Sequence, residues 1–457
     1  MKISNKNAFL IFILITLLFF AVEFKGLNHI DGGDEHTYFY MGKLITKGIL
    51  PYKDFFLSRP PLQVYLISVI YKIFGFNLFM LKLVPLLSII FSAFFIFKIM
   101  KKYSNISAII AVLLFLFSHR VMFEATYFLG VNLTTMFTVI GFYFLMSRKR
   151  YLLSGLFFGI AGITGLYSLV PTLVIFVVLL LKKKKKILKF LAGFSIIFFL
   201  TNIIFILWHG AAYLHSVYLW HLFKPRIKGI AVNMFVDYFL KNIFLVLAAL
   251  LFLFVKDKKK MMMVAFISIF YAIFLVLIRS FNFYFVLLAP FLAILGGYSF
   301  DNFMKRFRKD ITIIISIILF IIFTVYALDI VLYLQNFDFL DFQSKDIIVK
   351  RILENSKPGD KIFGDVTFTP LTALLTNRDI AFNIVDTNAQ RILSGSLKID
   401  KVLERIKQEK VKFVIVRPTM GIGNHPVVGE FIKRNCEFSL WIQDIYFGNI
   451  FIYDCSQ

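Results

Sequence analysis

Residues 31–75 read DGGDEHTYFYMGKLITKGILPYKDFFLSRPPLQVYLISVIYKIFG. Apolar runs at 8–24 and 78–97 flank them, each close to the roughly 20 residues a transmembrane helix needs. The stretch is therefore an outer loop between two membrane spans. Gly32 and Gly33 let the backbone bend sharply where it leaves the bilayer. Asp34-Glu35 then opens an amphipathic segment, 36–47, with Tyr38, Met41, Leu44 and Ile45 on one face. One reading makes Asp34 a helix cap and Glu35 a partner of the helix dipole; the other makes them reactive carboxylates. Further on, Arg59-Pro60-Pro61 forms a rigid turn at headgroup depth. Segment 61–74 is apolar but short, and it carries Gln63, Tyr65, Ser68 and Lys72. If it crossed the membrane, the next basic cluster would lie outside, so it reads as a helix in the outer interface.

The rest of the chain agrees with a membrane setting. Of 457 residues, 59% are hydrophobic and 17% charged, and the mean hydropathy is +0.81. Soluble domains average about 45–50% apolar and about 25% charged. The net charge of +25 resides before Asp329; the tail that follows carries 16 acids and 16 Lys/Arg. Six basic groups punctuate the apolar region: Lys2/Lys6, Lys98/Lys101/Lys102, Arg148/Lys149/Arg150, residues 182–186, Lys256/Lys258/Lys259/Lys260, and Lys305/Arg306/Arg308/Lys309. The positive-inside rule places all six in the cytoplasm. Two spans per interval and a last one at 311–328 give about eleven, with the N-terminus inside and the tail outside. The expected fold is an α-helical polytopic membrane protein, with a membrane domain at 1–328 and an extracytoplasmic α/β domain at 329–457. Short basic loops of this kind do not form a nucleic-acid surface, and no Walker A loop is present.

In the tail, strands are expected at 361–366, 379–385 and 411–416, with helices at 370–376, 397–409 and 425–434. A hairpin at 438–442 and 450–453 closes near Gly448-Asn449. Alternating strands and helices suggest a small open sheet with parallel strands. Cys436 and Cys455 are the only cysteines; outside the cytoplasm they can pair or remain free thiols.

Acids are scarce before the tail, so their positions carry information. Asp257, Asp301 and Asp310 fall on the inner side. Glu23, Asp31, Asp34, Glu35, Asp54, Glu124 and Asp237 fall at or near the outer face. Arg59, Arg120, Lys224, Arg226, Lys228 and Arg279 lie there too, against the usual topological bias. Each is a snorkelling anchor or part of a phosphate site, since the guanidinium fork matches phosphate oxygens.

These residues carry an ordered pattern. An Asp-Glu pair is followed by an aromatic two or three positions on. Then come Gly-x-x-Pro-Tyr (48–52), basic-Pro-Pro-Leu-x-x-Tyr (59–65) and Phe74-Gly75 before the second span. The pattern resembles the GT-C glycosyltransferases of family 39, the protein O-mannosyltransferase and aminoarabinose transferase type. The resemblance is strongest over 31–102. Ser154-Gly155 with Gly159 and Thr164, the loop 213–226 with His221, and Arg279 followed by Tyr284 and Pro290 extend it.

The resemblance implies an inverting glycosyltransferase that moves a sugar from a polyprenyl-phosphate carrier to an acceptor hydroxyl or amine outside the cytoplasm. By position it implies Asp34 as the catalytic acid residue and Glu35 as its neighbour. Arg59 would hold the donor phosphate, with Arg279, Arg226 and His221 of second rank. Glu124, Tyr65 and Tyr284 are candidates for acceptor or sugar contact. The chemistry suits these types, because an acceptor needs a carboxylate base and the leaving phosphate needs positive charge. An arginine can supply that charge, so no cofactor is required, while a divalent metal remains possible. The expected partners are a polyprenyl-phosphate-linked sugar, the lipid bilayer and a protein, lipid or glycan acceptor, with no nucleic acid. The expected location is a prokaryotic plasma membrane.

The chain departs from the aminoarabinose transferase pattern twice. Residues 128–132 (FLGVN) lack that type's aspartate before the fourth span, leaving Glu124 or Asn132 in its place, and Thr164 is followed by Gly165 rather than lysine. Two other functions are conceivable on the sequence. A lipid-linked-sugar binding or flipping protein needs the arginines but not Asp34. A secondary transporter is opposed by the odd span count and by the lack of an acid deep in any span.

Overall fold

The computed structural model describes residues 3–30, 33–182, 184–223, 230–278, 281–306, 309–335, 344–445 and 447–455. The chain is mostly helical, with one small sheet near its C-terminus. Backbone contacts group it into two units. The first gathers residues 1–28, 79–204 and 227–336; the second gathers 29–78, 205–226 and 337–457. These boundaries differ from a single division at 328/329, because the loops at 29–78 and 205–226 group with the tail.

The first unit is built from apolar helices. Helix α1 (Asn5–Glu23) exposes Leu10, Leu14, Leu17 and Leu18, an apolar stripe suited to lipid. Helix α4 (Leu78–Met100) follows α2 (Asp34–Thr46) and α3 (Leu62–Phe74) of the second unit, and α5 (Asn105–Leu116), α6 (His119–Glu124), α7 (Val131–Tyr143), α8 (Tyr151–Thr164), α9 (Leu169–Lys182) and α10 (Lys184–His209) come next. After two single turns, α11 (Ala211–Leu214) and α12 (Trp220–Phe223), the chain runs through α13 (Ile230–Lys241), α14 (Ile243–Leu250), α15 (Met262–Ile278), α16 (Ala289–Met304) and α17 (Lys309–Gln335). Among the described residues, three helical stretches are long and apolar enough to cross a bilayer singly: Asn5–Asn28, Leu78–Met100 and Lys185–His209. Val232–Lys241 and Ile243–Phe254 form a fourth such segment bent by 87°. Shorter apolar stretches of 10–17 residues among the described residues are Leu62–Phe74, Asn105–Leu116, Tyr151–Thr164, Leu166–Leu181, Met262–Leu277 and Ile321–Leu332, the last lying within α17.

Small residues set the closest approach in this unit. Along α8, Gly155, Gly159 and Gly162 face α10. A Cβ on Gly155 would lie 2.0 Å from the Phe190 carbonyl oxygen, and one on Gly193 would lie 2.1 Å from the Leu152 carbonyl oxygen. The two backbones touch directly, as small-residue seams allow in membranes.

In the second unit, α2 (Asp34–Thr46) packs on α3 (Leu62–Phe74). A Cβ on Gly42 would fall 2.4 Å from the Ile67 side chain, so the helices meet closely there. Thirteen residues of α3 rise about 20 Å, short of the roughly 30 Å hydrocarbon core. Val69, Ile73 and Phe74 are nonetheless exposed.

The tail domain begins with α18 (Lys345–Glu354), a helix the sequence reading did not anticipate. It continues through β1 (Lys361–Gly364), α19 (Thr369–Thr376), β2 (Asp379–Ile380), α20 (Ala389–Leu393), α21 (Ile399–Gln408), β3 (Phe413–Val416), α22 (Pro426–Asn435), β4 (Glu437–Asp444) and β5 (Gly448–Asp454). The sheet order is β2-β1-β3-β5-β4. β1 is parallel to both β2 and β3, whereas β5 is antiparallel to β3 and β4. The strand expected at 379–385 stops after two residues, because Phe382 and Asn383 take positive φ (53° and 55°) and leave extended geometry.

Cys436 and Cys455 are joined by a disulfide that closes the β4–β5 hairpin. In chain-entropy terms a loop of this size contributes about 3 kcal/mol. Reduction of the folded protein is therefore expected to speed amide exchange in β4 and β5 by a factor on the order of 100, read by hydrogen-exchange mass spectrometry with and without reductant.

Candidate active site

Asp34 is the first residue of α2, and Gly33, not Asp34, occupies the N-cap position. The Asp34 side chain makes no hydrogen bond to another described residue. A capping role therefore does not explain it. Its side chain is exposed to solvent, with protein atoms close around it. Burial pushes its carboxyl above the usual carboxylate range; the Arg59 guanidinium pulls it back down, and the Asp386 carboxylate raises it further. Glu35, one residue on, is fully buried, with Oε1 4.0 Å from Nε2 of His36.

The far half of α2 is tied to the tail. Lys43 Nζ donates to Asn377 Oδ1 (2.9 Å), Lys47 Nζ pairs with Asp379 (2.8 Å), and the Ile380 N–H donates to the Tyr40 hydroxyl (2.8 Å). These bonds hold the helix that presents Asp34.

Arg59 is held by its surroundings as well. Its guanidinium lies 5.0 Å from the centre of the Tyr38 ring, a cation–π distance. Tyr38 is the aromatic that follows the acid pair in the motif. The Tyr52 hydroxyl donates to the Arg59 carbonyl (2.7 Å). Tyr52 has φ of 67°, an unfavourable conformation for a bulky residue, and its ring packs on Tyr213 at 4.8 Å. Nε2 of His221 lies 2.6 Å from the Ser58 carbonyl oxygen. His221, expected as a phosphate ligand, has one ring nitrogen on the backbone next to Arg59 and so supports that loop.

The other expected residues are placed as follows. Tyr65, on α3, has its ring against Phe205 at 6.0 Å, and its buried hydroxyl lacks a hydrogen-bond partner among the described residues. Glu124 lies in the first unit, paired with Arg120 (Nη1–Oε1 3.2 Å). Asn132 donates to the Glu124 carbonyl (2.7 Å), so the two residues weighed as replacements for the missing aspartate are neighbours. Tyr284, also in the first unit, stacks on Tyr167 at 3.9 Å. Arg226, Arg279, Asp31, Lys224 and Lys228 lie outside the described residues.

Sequence reasoning missed Asp386 and Arg391. Asp386 follows Val385, where a strand was expected to end, and nothing in its local sequence marks it. The Asp386 carboxylate accepts from the Asn388 N–H (3.0 Å), and Asn388 caps α20 through the Gln390 N–H (2.9 Å). That turn brings Arg391 back, so that its Nη1 donates to the Asp386 carbonyl (2.5 Å). Its guanidinium lies 4.0 Å from the centre of the Phe56 ring, on the loop that carries Arg59. Among the described residues, no group of three His, Cys, Asp or Glu side chains converges as a metal site would require.

The arrangement gives a carboxylate of raised basicity within electrostatic reach of the Arg59 guanidinium. For a reaction that needs ionised Asp34, the acid limb of the pH–rate profile is expected to lie above that of an ordinary carboxylate. Asp386→Asn should move this limb to lower pH, and Arg59→Gln should move it higher, both read from kcat/KM against pH.

Comparison with known proteins finds a family match over part of the sequence and a likeness of fold over the whole chain. Residues 58–208 match the family described as dolichyl-phosphate-mannose-protein mannosyltransferase. ArnT from Cupriavidus metallidurans, solved bound to undecaprenyl phosphate, shares the fold with a TM-score of 0.73 at 12% identity, over 99% of this chain and 98% of that one. Its apo state matches at 0.72 and 14%, over 97% of each. The arabinofuranosyltransferase AftD from Mycobacteria matches at 0.52 and 13%, over 100% of this chain and 40% of AftD. No curated protein matches the chain in sequence. The chain is a membrane protein with apolar helices of this fold.

Proposed function

We propose that the chain is an inverting glycosyltransferase that takes a sugar from a polyprenyl-phosphate carrier and places it on an acceptor hydroxyl or amine outside the cytoplasm. The observation that carries this reading is Asp34, accessible and raised in basicity, next to Arg59 on a braced loop. Asp34 takes the proton from the acceptor O–H or N–H. The acceptor atom attacks the anomeric carbon from the face opposite the phosphate. The bond from that carbon to the phosphate oxygen breaks, and its electron pair leaves with the carrier. Arg59 stabilises the charge that builds on this leaving oxygen. Glu35 and His221 position the acid and the arginine. Arg226 and Arg279 are further candidates for the phosphate, and Tyr65 and Tyr284 for the sugar or acceptor.

The carrier reading draws support from ArnT, a structural relative solved with undecaprenyl phosphate. We place the N-terminus in the cytoplasm and the tail outside, with about eleven crossings and the tail domain starting near 329. The Cys436–Cys455 disulfide suits an oxidising compartment.

The test is turnover of a short-chain polyprenyl-phosphate sugar by the protein in lipid nanodiscs, with an extracytoplasmic acceptor fraction. Free polyprenyl phosphate and a product of opposite anomeric configuration are expected. Retained configuration, or turnover only with a sugar nucleotide, would overturn the proposal.

A further inference from the structure

Arg391 is 7% exposed, and its Nε–H is buried with no acceptor among the described residues. A guanidinium carries five N–H donors and no acceptor. Here one donor is spent on the Asp386 carbonyl, one face lies on Phe56, and the Asp386 carboxylate is near enough to act on its charge, while the Nε–H is left over. Leaving a buried cationic donor unmatched is costly. Proteins keep such a group where a ligand supplies the missing acceptor.

Its position says which ligand. Phe56 lies three residues before Arg59 on the same loop, and Asp386, which Arg391 holds through its carbonyl, is close enough to Asp34 for their charges to interact. The segment is also anchored to the sheet, because the Thr387 hydroxyl donates to the Gly364 carbonyl at the end of β1 (2.8 Å). This places a fixed, desolvated guanidinium on Asp386, the residue whose carboxylate acts on Asp34 of the proposed transfer site. An anion with several oxygens around one centre satisfies it best, since the planar fork matches phosphate bidentately.

We infer that Arg391, contributed by the tail domain, is a phosphate-binding residue of the Asp34 site. The phosphate comes from the lipid carrier or from a phosphorylated acceptor. The inference deepens the proposed transferase reading and rests on it for the location of the site, not for the chemistry of the ligand.

The experiment uses the full chain in nanodiscs with two probes, farnesyl phosphate for the carrier and glucose 1-phosphate for a soluble phosphate. Binding and the ligand-induced rise in melting temperature are measured for wild type, Arg391→Met and Asp34→Asn. Wild type and Asp34→Asn are expected to bind farnesyl phosphate alike, and Arg391→Met to bind about 10- to 100-fold more weakly. Without ligand, Arg391→Met is expected to melt somewhat lower than wild type, because the Asp386 carbonyl and carboxylate lose their partner, so the deciding readout is binding and the ligand-induced rise. A merely structural arginine would show a lower melting temperature with unchanged binding and an unchanged ligand-induced rise.

If wild type binds glucose 1-phosphate but not farnesyl phosphate, and Arg391→Met loses that binding, the anion site stands and the carrier reading falls. If wild type binds farnesyl phosphate and Arg391→Met binds it equally, the inference fails and the carrier reading stands. If wild type binds neither probe, both fail. Should Arg391→Met not fold, Arg391→Lys, which keeps the charge without the planar fork, is expected to bind about 3- to 10-fold more weakly; unchanged binding would overturn the inference.

Discussion

Asp34→Asn is expected to lower sugar transfer by about 10²- to 10⁴-fold while leaving donor binding within about twofold of wild type. The substitution keeps the shape of the side chain and removes its ability to accept a proton as a base. Because the Asp34 side chain makes no hydrogen bond to a described residue and does not cap α2, the change should cost the fold little. The measurement is release of free polyprenyl phosphate, with donor binding and melting temperature recorded in parallel. Unchanged release would mean that Asp34 has no part in proton transfer, and a lipid-linked-sugar binding or flipping protein would then be the better reading. Normal binding with lost release would fix its place in the chemical step.

The second large effect concerns the fold. Gly155→Val is expected to destabilise the protein by more than about 3 kcal/mol. A Cβ there would lie 2.0 Å from the Phe190 carbonyl oxygen and 2.8 Å from the Phe194 amide nitrogen. Both are backbone atoms of α10, so no rotamer change relieves the clash and the helices must separate. Separation would also strip the contacts that Gly159 and Gly162 make with α10. The readouts are the yield of monodisperse protein and its melting temperature. Gly429→Ala is the control: in α22 its Cβ would meet nothing within 4 Å, and the better helix propensity of alanine should leave the fold equal or slightly stabilised. If Gly155→Val melts like wild type, α8 and α10 do not touch as described.

The parts of this molecule legible in the sequence are those set by neighbouring residues. Gly33 before Asp34, the prolines after Arg59 and the glycine after Phe74 signal their own backbone geometry, and α2, the turn and α3 follow. The order of strands and helices in the tail was legible for the same reason, apart from α18, α20 and the end of the second strand. Residues 380–385 (IAFNIV) look extended by composition, but Phe382 and Asn383 turn left-handed, which composition does not encode. The candidate site was legible only on its N-terminal side. Asp386 and Arg391 reach it through tertiary packing of a domain far along the chain, and no spacing between them and Asp34 could reveal that. His221 was found as a residue but not for the bond it makes, because a contact with the Ser58 carbonyl depends on the path of two loops. Counting basic clusters addresses loops rather than helix lengths, so it did not foresee how many of the apolar helices are short.

The ion pair between Asp365 and Arg417 has a consequence for what the tail can hold. In open sheets with parallel strands, the gap where strand order reverses, at the carboxyl ends, is the usual berth for a ligand. With the order β2-β1-β3, that gap lies between the ends of β1 and β3. Asp365 follows β1 and Arg417 follows β3, and they close it with two bonds, Nε–Oδ2 at 3.0 Å and Nη2–Oδ1 at 3.2 Å. The berth is thus filled by the protein itself. The carboxyl edge serves instead as a mounting bracket, from which the Thr387 bond suspends the segment carrying Asp386 and Arg391. Removing the brace with Arg417→Gly would leave a guanidinium-shaped vacancy, and added methylguanidinium should refill it and restore whatever the mounted segment contributes.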